Sequence, residues 1–207
     1  MQHEMMNMFA VPLYRAKLGR HFTAEEQAFF QQALSGAVRA ISNYSSPDKA
    51  VLKAPELAEL RQFVEMHLAS FMRTVFNTTN QVELKITQSW LTLSNKGESH
   101  HVHTHPNSVV SGVLYINLAP QDGINFYRNE DNIWYELIRQ QDNYYNALQY
   151  FVQCNVGELL LFPSNVRHGV REVTADIQRV SLSFNTFFSG QLGRDDFANA
   201  LNIEVRS

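Results

Sequence analysis

Four of the chain's eight histidines fall within six residues, in Gly97-Glu98-Ser99-His100-His101-Val102-His103-Thr104-His105-Pro106, and a fifth, His168, closes Phe162-Pro163-Ser164-Asn165-Val166-Arg167-His168. Neutral imidazole is the commonest protein ligand for a divalent transition metal. On a strand, residues two apart project from one face roughly 7 Å apart at the backbone, so His103 and His105 can converge on one ion. A third ligand from a distant strand would complete a facial set with open positions, as oxygen-activating iron requires. The competing reading is a run of solvated or core histidines, or the scar of a tag. It fits poorly, because the cluster is internal and has strand-like sequence on both sides.

The elements that must position these residues can be read from periodicity. Phe9-Ala10-Val11-Pro12-Leu13-Tyr14 reads as a short edge strand, with Pro12 at home on an edge. Thr23-Ala24-Glu25-Glu26 has the form of a capping box, and Phe29, Phe30, Leu34, Ala37, Val38 and Ile41 recur at helical spacing until Ser42-Asn43. Pro55 opens a second helix whose apolar face is Leu57, Leu60, Phe63, Val64, Leu68, Phe71 and Val75. His67 lies on or beside that face and reads as structural.

From Val82 the texture becomes β. Val82–Thr87 alternates with period two, and Trp90–Leu93 continues after a phase slip. Further strands are expected at Val109–Leu118, Gly123–Tyr127, Gly157–Phe162, Val166–Val173 and Gln178–Phe187. Helices followed by many strands give an α+β fold, with the helices packed on a sandwich or barrel. Asn129–Gln153, carrying Trp134, Tyr135, Tyr144, Tyr145, Tyr150 and Phe151, interrupts the strands as a lid or a packing element, and aromatic content favours packing.

At 207 residues, 44% hydrophobic and 18% charged, the chain is expected to be one domain with a full core: 1–80 strand and helices, 81–190 β core with an insertion at about 129–153, and 191–207 tail. A net charge of −3 with scattered cations gives no basic stripe for nucleic acid. The single Cys154 excludes an internal disulfide framework and reads as a buried small hydrophobe. With no secretory pattern and no apolar run approaching the ~20 residues of a membrane span, a cytoplasmic location is expected.

Gly97-x5-His103-x-His105 and Gly157-x5-Pro163-x4-His168 resemble the two cupin motifs in both spacings, which implies a double-stranded β-helix, or jelly roll. Cupins usually carry a glutamate a few residues after the second histidine, and here Asn107, Ser108, Val109 and Val110 occupy that stretch.

Arg179-Val180-Ser181, eleven residues past His168, narrows the resemblance. Arg179, Ser181, Ser183 and Asn185 share one strand face, while Val180, Leu182 and Phe184 share the other. The chain resembles the iron(II)- and 2-oxoglutarate-dependent oxygenases, and within them a family common in phage and marine bacterial genomes, through His103-Thr104-His105-Pro106-Asn107-Ser108, Ser111-Gly112-Val113-Leu114-Tyr115, Gly157–Ser164 and Arg179–Asn185. The likeness covers most of the chain, excluding Asn129–Gln153 and the tail. It implies a hydroxylase in which His103 and His168 are the proximal and distal ligands of Fe(II). It also implies that Arg179 and Ser181 bind the far carboxylate of the cosubstrate 2-oxoglutarate, and that Tyr115 contacts it. A guanidinium fork suits such a carboxylate.

Where that superfamily has aspartate or glutamate, this chain has His105, so the metal set expected here is His103, His105 and His168. A trihistidine set resembles that of the thiol dioxygenases, which leaves open a cupin-type dioxygenase that needs no oxoglutarate. A non-catalytic jelly roll with a structural metal also stays open. His101 could substitute geometrically for His105, and His100 is expected on the opposite strand face. Asp122 and Glu98 read as surface charges. The primary substrate is a small molecule or side chain that the sequence does not identify, selectivity is expected to reside in Asn129–Gln153, and that aromatic segment is also compatible with a homodimer.

Overall fold

The computed structural model describes residues 3–129 and 137–206. In chain order the strands are β1 (Tyr14–Lys17), β2 (Val38–Arg39), β3 (Tyr44–Ser45), β4 (Val82–Ser94), β5 (His100–His103), β6 (Val110–Asn117), β7 (Gly123–Tyr127), β8 (Gln149–Gln153), β9 (Glu158–Pro163), β10 (Arg167–Val170), β11 (Arg179–Leu192) and β12 (Leu201–Ile203). The α-helices are α1 (Ala24–Ser35) and α2 (Ala58–Phe71).

The strands form two antiparallel sheets. The larger runs β1-β9-β6-β11-β4-β3-β2 with β12 beside β11, and the smaller runs β5-β10-β7-β8. The result is a jelly roll with helices on one face, in the α+β class. Alternation along each central strand explains the layering. Leu114 of β6, Leu159 and Leu161 of β9, and Leu182 and Phe184 of β11 pack with Leu57, Leu60, Val64, Leu68 and Phe71 from the helical side. Their neighbours in sequence, Val113, Tyr115, Leu160 and Phe162, face the other way and pack with Ile124, Phe126 and Val152 of the smaller sheet. Both faces of the large sheet are therefore covered, and the space between the sheets holds this second apolar cluster beside buried polar side chains such as His168, Arg179 and Ser181.

The capping box forms as expected. The Thr23 hydroxyl accepts from the Glu26 N–H, while the Glu26 carboxylate accepts from the Thr23 N–H and from Arg20. The helix stops at Ser35, earlier than its apolar spacing suggests: Val38 and Ile41 are exposed and β2 begins at Val38. Gly36 ends it at φ −102°, and the Ala37 N–H then donates to the Leu34 carbonyl at 3.0 Å. Pro55 opens a 3₁₀ turn that leads into α2, and the helical run finishes in a π-turn at Met72–Phe76. His67 accepts or donates a 2.7 Å hydrogen bond with the Tyr14 hydroxyl, and burial lowers its pKa, consistent with a structural role.

The N-terminal strand is an edge strand but starts later, at Tyr14, where it pairs with Leu161. Phe9 and Val11 are exposed and outside it, since the Pro12 nitrogen has no hydrogen to give a ladder. The phase slip in β4 is a β-bulge. Asn185 pairs with Gln88 and Thr186 with Ile86, so Thr87 is the extra residue in an otherwise continuous thirteen-residue strand.

The expectation that Asn129–Gln153 packs its aromatics inward is corrected. Its last residues are β8, the edge of the smaller sheet, of which Val152 is buried, whereas Tyr144, Tyr145, Tyr150 and Phe151 are exposed. Phe151 alternates with Val152 and faces solvent, while Tyr150, on the face of Val152, is exposed as well, so that the cover over this edge strand reaches only Val152. Trp134 and Tyr135 lie outside the described residues. No helix among the described residues is long and apolar enough to cross a membrane.

Candidate metal centre

Gly97 and Gly157, the glycines that open the two sequence motifs, both sit in turns at φ near +80°, where a side chain would strain the backbone. Each turn delivers a strand: β5 after Gly97, β9 after Gly157. β10 then lies antiparallel to β5 with His168 directly opposite His103. Gly169 makes that approach possible, because a Cβ there would stand 2.9 Å from the His100 carbonyl oxygen.

The three expected ligands meet. His103 Nε2 lies 3.2 Å from His105 Nε2, which lies 3.2 Å from His168 Nε2. The same three residues form one group whose ligand atoms lie within 4.8 Å of one another. Two imidazole nitrogens that bind one ion at about 2.0–2.1 Å in adjacent positions stand at about this separation. The other ring nitrogens are occupied in the way that fixes a ligand. His103 Nδ1–H donates to the His101 carbonyl at 2.8 Å, and His168 Nδ1–H donates to the Val166 carbonyl at 2.9 Å. Each bond selects the tautomer whose Nε2 lone pair points at its neighbours. His105 lies just beyond β5, with its N–H bonded to the Ser164 carbonyl at 2.9 Å and its ring stacked on Trp90.

Burial keeps these rings neutral. It pushes His168 down to about 3, against the pull of the Val166 carbonyl, and His105 down to about 4, with the His103 ring adding to the effect and Asn185 opposing it. His103 is lowered by the same desolvation. Neutral imidazoles are the form a cation needs.

One expectation for the cluster is corrected. His100 does not turn away. Between the pairs His168–His103 and Val170–His100 the β5 side spans one more residue than β10. This bulge returns the His100 ring to the pocket side, stacked on His103 at 4.6 Å and 18°. His101 is exposed; its carbonyl serves His103, and its ring joins His100 and His103 in a second histidine trio whose ligand atoms lie within 4.8 Å of one another.

Arg179 and Ser181 line the same pocket as the histidines, together with Tyr115, Trp90 and Ser183. Ser181 is the cross-strand partner of Tyr115, and the Arg179 guanidinium lies 5.6 Å from the centre of the Tyr115 ring. The Tyr115 hydroxyl is buried with no hydrogen-bond partner among the described residues, although the Cys154 thiol lies near it. Such an orphan in a pocket wall is a group ready for a ligand. Cys154 is buried as expected, and burial pushes its thiol up to about 11.

The carboxylates expected at the surface are both engaged. Asp122 is nearly buried and holds Arg179 with both oxygens at 3.1 Å. Glu98 pairs with Arg39 and accepts the Asn95 N–H. Sequence reading also passes over Asn185 as a site residue in its own right. It lies beside His105, takes a hydrogen bond from Ser111 and gives one to Gln88. Its place on the polar face of the Arg179 strand was the available signal.

Comparison with known proteins bears on the family and the fold. Residues 88–185 match the family model described as "Putative 2OG-Fe(II) oxygenase". No curated protein matches the chain in sequence. Similar solved structures include a 2OG-Fe(II) oxygenase family oxidoreductase from Burkholderia pseudomallei, with 17% identity, TM-score 0.54 and 83% of each chain covered. HygX from Streptomyces hygroscopicus, with nickel, 2-oxoglutarate and hygromycin B bound, gives 16% identity and TM-score 0.56, covering 85% of this chain and 82% of that one. A Pseudomonas putida prolyl-4-hydroxylase gives 16% and 0.55, covering 84% and 92%. At these identities the likeness speaks for the fold.

Proposed function

We propose, from the match of residues 88–185 to the family model described as "Putative 2OG-Fe(II) oxygenase", that the protein is an iron(II)- and 2-oxoglutarate-dependent hydroxylase. His103, His105 and His168 would hold the metal, and Arg179 with Ser181 and Tyr115 would bind the cosubstrate's distal carboxylate. The observation that carries this reading is that one pocket contains both sets: three converging imidazole nitrogens, and a buried arginine beside two hydroxyl-bearing side chains.

The metal and 2-oxoglutarate supply, when bound, the oxidising chemistry that side chains lack. The chain's own contribution is binding, orientation and exclusion of water. His103 and His168 are locked in one tautomer by backbone carbonyls. Arg179 offers a charge that cannot be neutralised by deprotonation, in a site where solvent screens it little. The Tyr115 and Ser181 hydroxyls can each donate to a carboxylate oxygen. Phe162 packs against the His168 ring edge-on at 4.7 Å and keeps its far side dry.

An anaerobic titration of the Fe(II)-loaded protein with 2-oxoglutarate tests this directly. Saturable growth of a visible metal-to-ligand charge-transfer band is expected, and its absence with iron bound would overturn the reading. His105 in the third position favours one second reading, a trihistidine dioxygenase whose substrate alone binds the metal. Turnover with iron, oxygen and substrate in the absence of 2-oxoglutarate would support it.

A further inference from the structure

Arg179 is gripped on two of its three nitrogens before any ligand arrives. Its Nε–H is shared between both carboxylate oxygens of Asp122, each at 3.1 Å, and Nη2 donates to the Gly123 carbonyl at 3.3 Å. Nη1 is the guanidinium nitrogen left without a protein partner among the described residues. Asp122 is itself anchored: its carboxylate accepts the Gly123 N–H, its N–H donates to the Ala119 carbonyl, and its own carbonyl accepts the Cys154 N–H at 2.9 Å.

How the carboxylate sits matters more than that it is there. A carboxylate on the Nη1–Nη2 fork would occupy the edge that binds anions best. Asp122 sits on the Nε side instead, so it restrains rotation of the guanidinium plane without closing the ligand's approach to Nη1. The side chains of the pair are 3% and 12% exposed, so solvent does little to weaken the contact. No carboxylate among the described residues lines the pocket itself, the three converging ligands being histidines. Asp122, directly behind the pocket, supplies negative charge next to its cation.

We propose that Asp122 is a positioning residue: by holding Arg179 Nε, with the Gly123 carbonyl on Nη2, it fixes the guanidinium so that Nη1 is presented to the carboxylate of a 2-oxo diacid alongside Ser181 and Tyr115. This rests on the cosubstrate reading given above. Asp122 touches no ligand and acts only through Arg179. Its loss therefore affects ligands that use the arginine and spares those that do not.

The test compares two 2-oxo acids on the Ni(II)-loaded full chain by calorimetry: 2-oxoglutarate, which has a distal carboxylate, and pyruvate, which has none. Asp122→Asn, of nearly the same shape, is expected to weaken 2-oxoglutarate by roughly ten-fold, the effect of one charge-assisted hydrogen bond, and to leave pyruvate within two-fold. In an Arg179→Gln background the same substitution should cost nothing further, since non-additivity marks residues that act as a unit. Unchanged 2-oxoglutarate affinity overturns the proposal. Tighter binding overturns it too, because Asp122 would then be masking the arginine. Equal loss of both ligands would assign Asp122 to general integrity of the pocket. If the wild-type protein binds Ni(II) but not 2-oxoglutarate, the cosubstrate reading falls and this inference falls with it.

Discussion

The His105 and His168 rings lie parallel, 4° between planes and 5.1 Å between centroids, with their Nε2 atoms 3.2 Å apart. With its Nδ1–H given to the Val166 carbonyl, neutral His168 turns a lone pair toward His105. A third nitrogen, from His103, faces the same point. The His103 and His168 lone pairs thus converge beside His105 Nε2, an arrangement that a bound cation would stabilise.

Divalent metal should therefore stabilise the fold, and the effect should vanish when a ligand is lost. Fe(II) or Ni(II) at a hundred times its dissociation constant is expected to add about 2.7 kcal/mol, read as a rise in Tm. His168→Ala should abolish that rise. An undiminished metal shift in this variant would place the ion elsewhere.

The Tyr115 hydroxyl is expected to act in opposite directions on stability and binding. It is buried and unpartnered, so Tyr115→Phe removes a desolvated polar atom. That should leave the ligand-free protein as stable or about 1 kcal/mol more stable. The same change should weaken 2-oxoglutarate several-fold. Urea unfolding and ligand titration on one sample decide both, and a destabilised variant would mean that the hydroxyl already has a partner.

Gly169→Ala should damage the site more than the fold. The added methyl would meet the His100 carbonyl oxygen at 2.9 Å and the His101 carbonyl oxygen at 3.2 Å, forcing β5 away from β10. Since β5 carries His103 opposite His168, a loss of ten-fold or more in metal affinity is expected. Wild-type Ni(II) affinity in this variant would show that the two strands adjust freely.

The Glu26 carboxylate gives a pH signature remote from the site. Burial pushes its pKa up, but the Arg20 hydrogen bond, the Thr23 N–H and the Arg20 charge together bring it below its ordinary value. A depressed carboxylate stabilises the fold above its unfolded pKa, and the contribution is lost as pH falls through the folded value. Glu26→Gln should therefore cost about 1–2 kcal/mol at pH 7, and the gap to wild type should narrow as pH falls below the ordinary carboxylate range. Parallel unfolding curves from pH 7 to 3 would test it, with a gap independent of pH counting against the assignment.

Much of the site was legible in the sequence because each strand carries its part of it in period two. Arg179, Ser181 and Asn185 could be placed on one face of β11, and His103 and His168 could be matched to motif spacings, without knowing how the strands pair. What period two cannot supply is a change of phase. The β5 bulge that brings His100 into the pocket depends on the register with β10, which is a non-local quantity. Asp122 was equally hidden. It lies in a turn 57 residues from Arg179, and nothing in its neighbourhood distinguishes a carboxylate that meets an arginine from one that meets water. The exposed Tyr150 and Phe151 show the opposite limit, since aromatic content does not reveal that β8 ends a sheet.

β11 is one unbroken strand from Arg179 to Leu192, so the residue that would grip the far end of a diacid and the one beside His105, Asn185, are six positions apart on the same rod. At 3.2–3.4 Å per residue, their separation is a length written into the backbone, with β4 and β6 clamping it on either side through Asn185. No hinge intervenes to stretch or shorten it. The strand thus gives both side chains one rigid base, and the reach of the Arg179 side chain, held by Asp122, sets where the far end of a diacid is met.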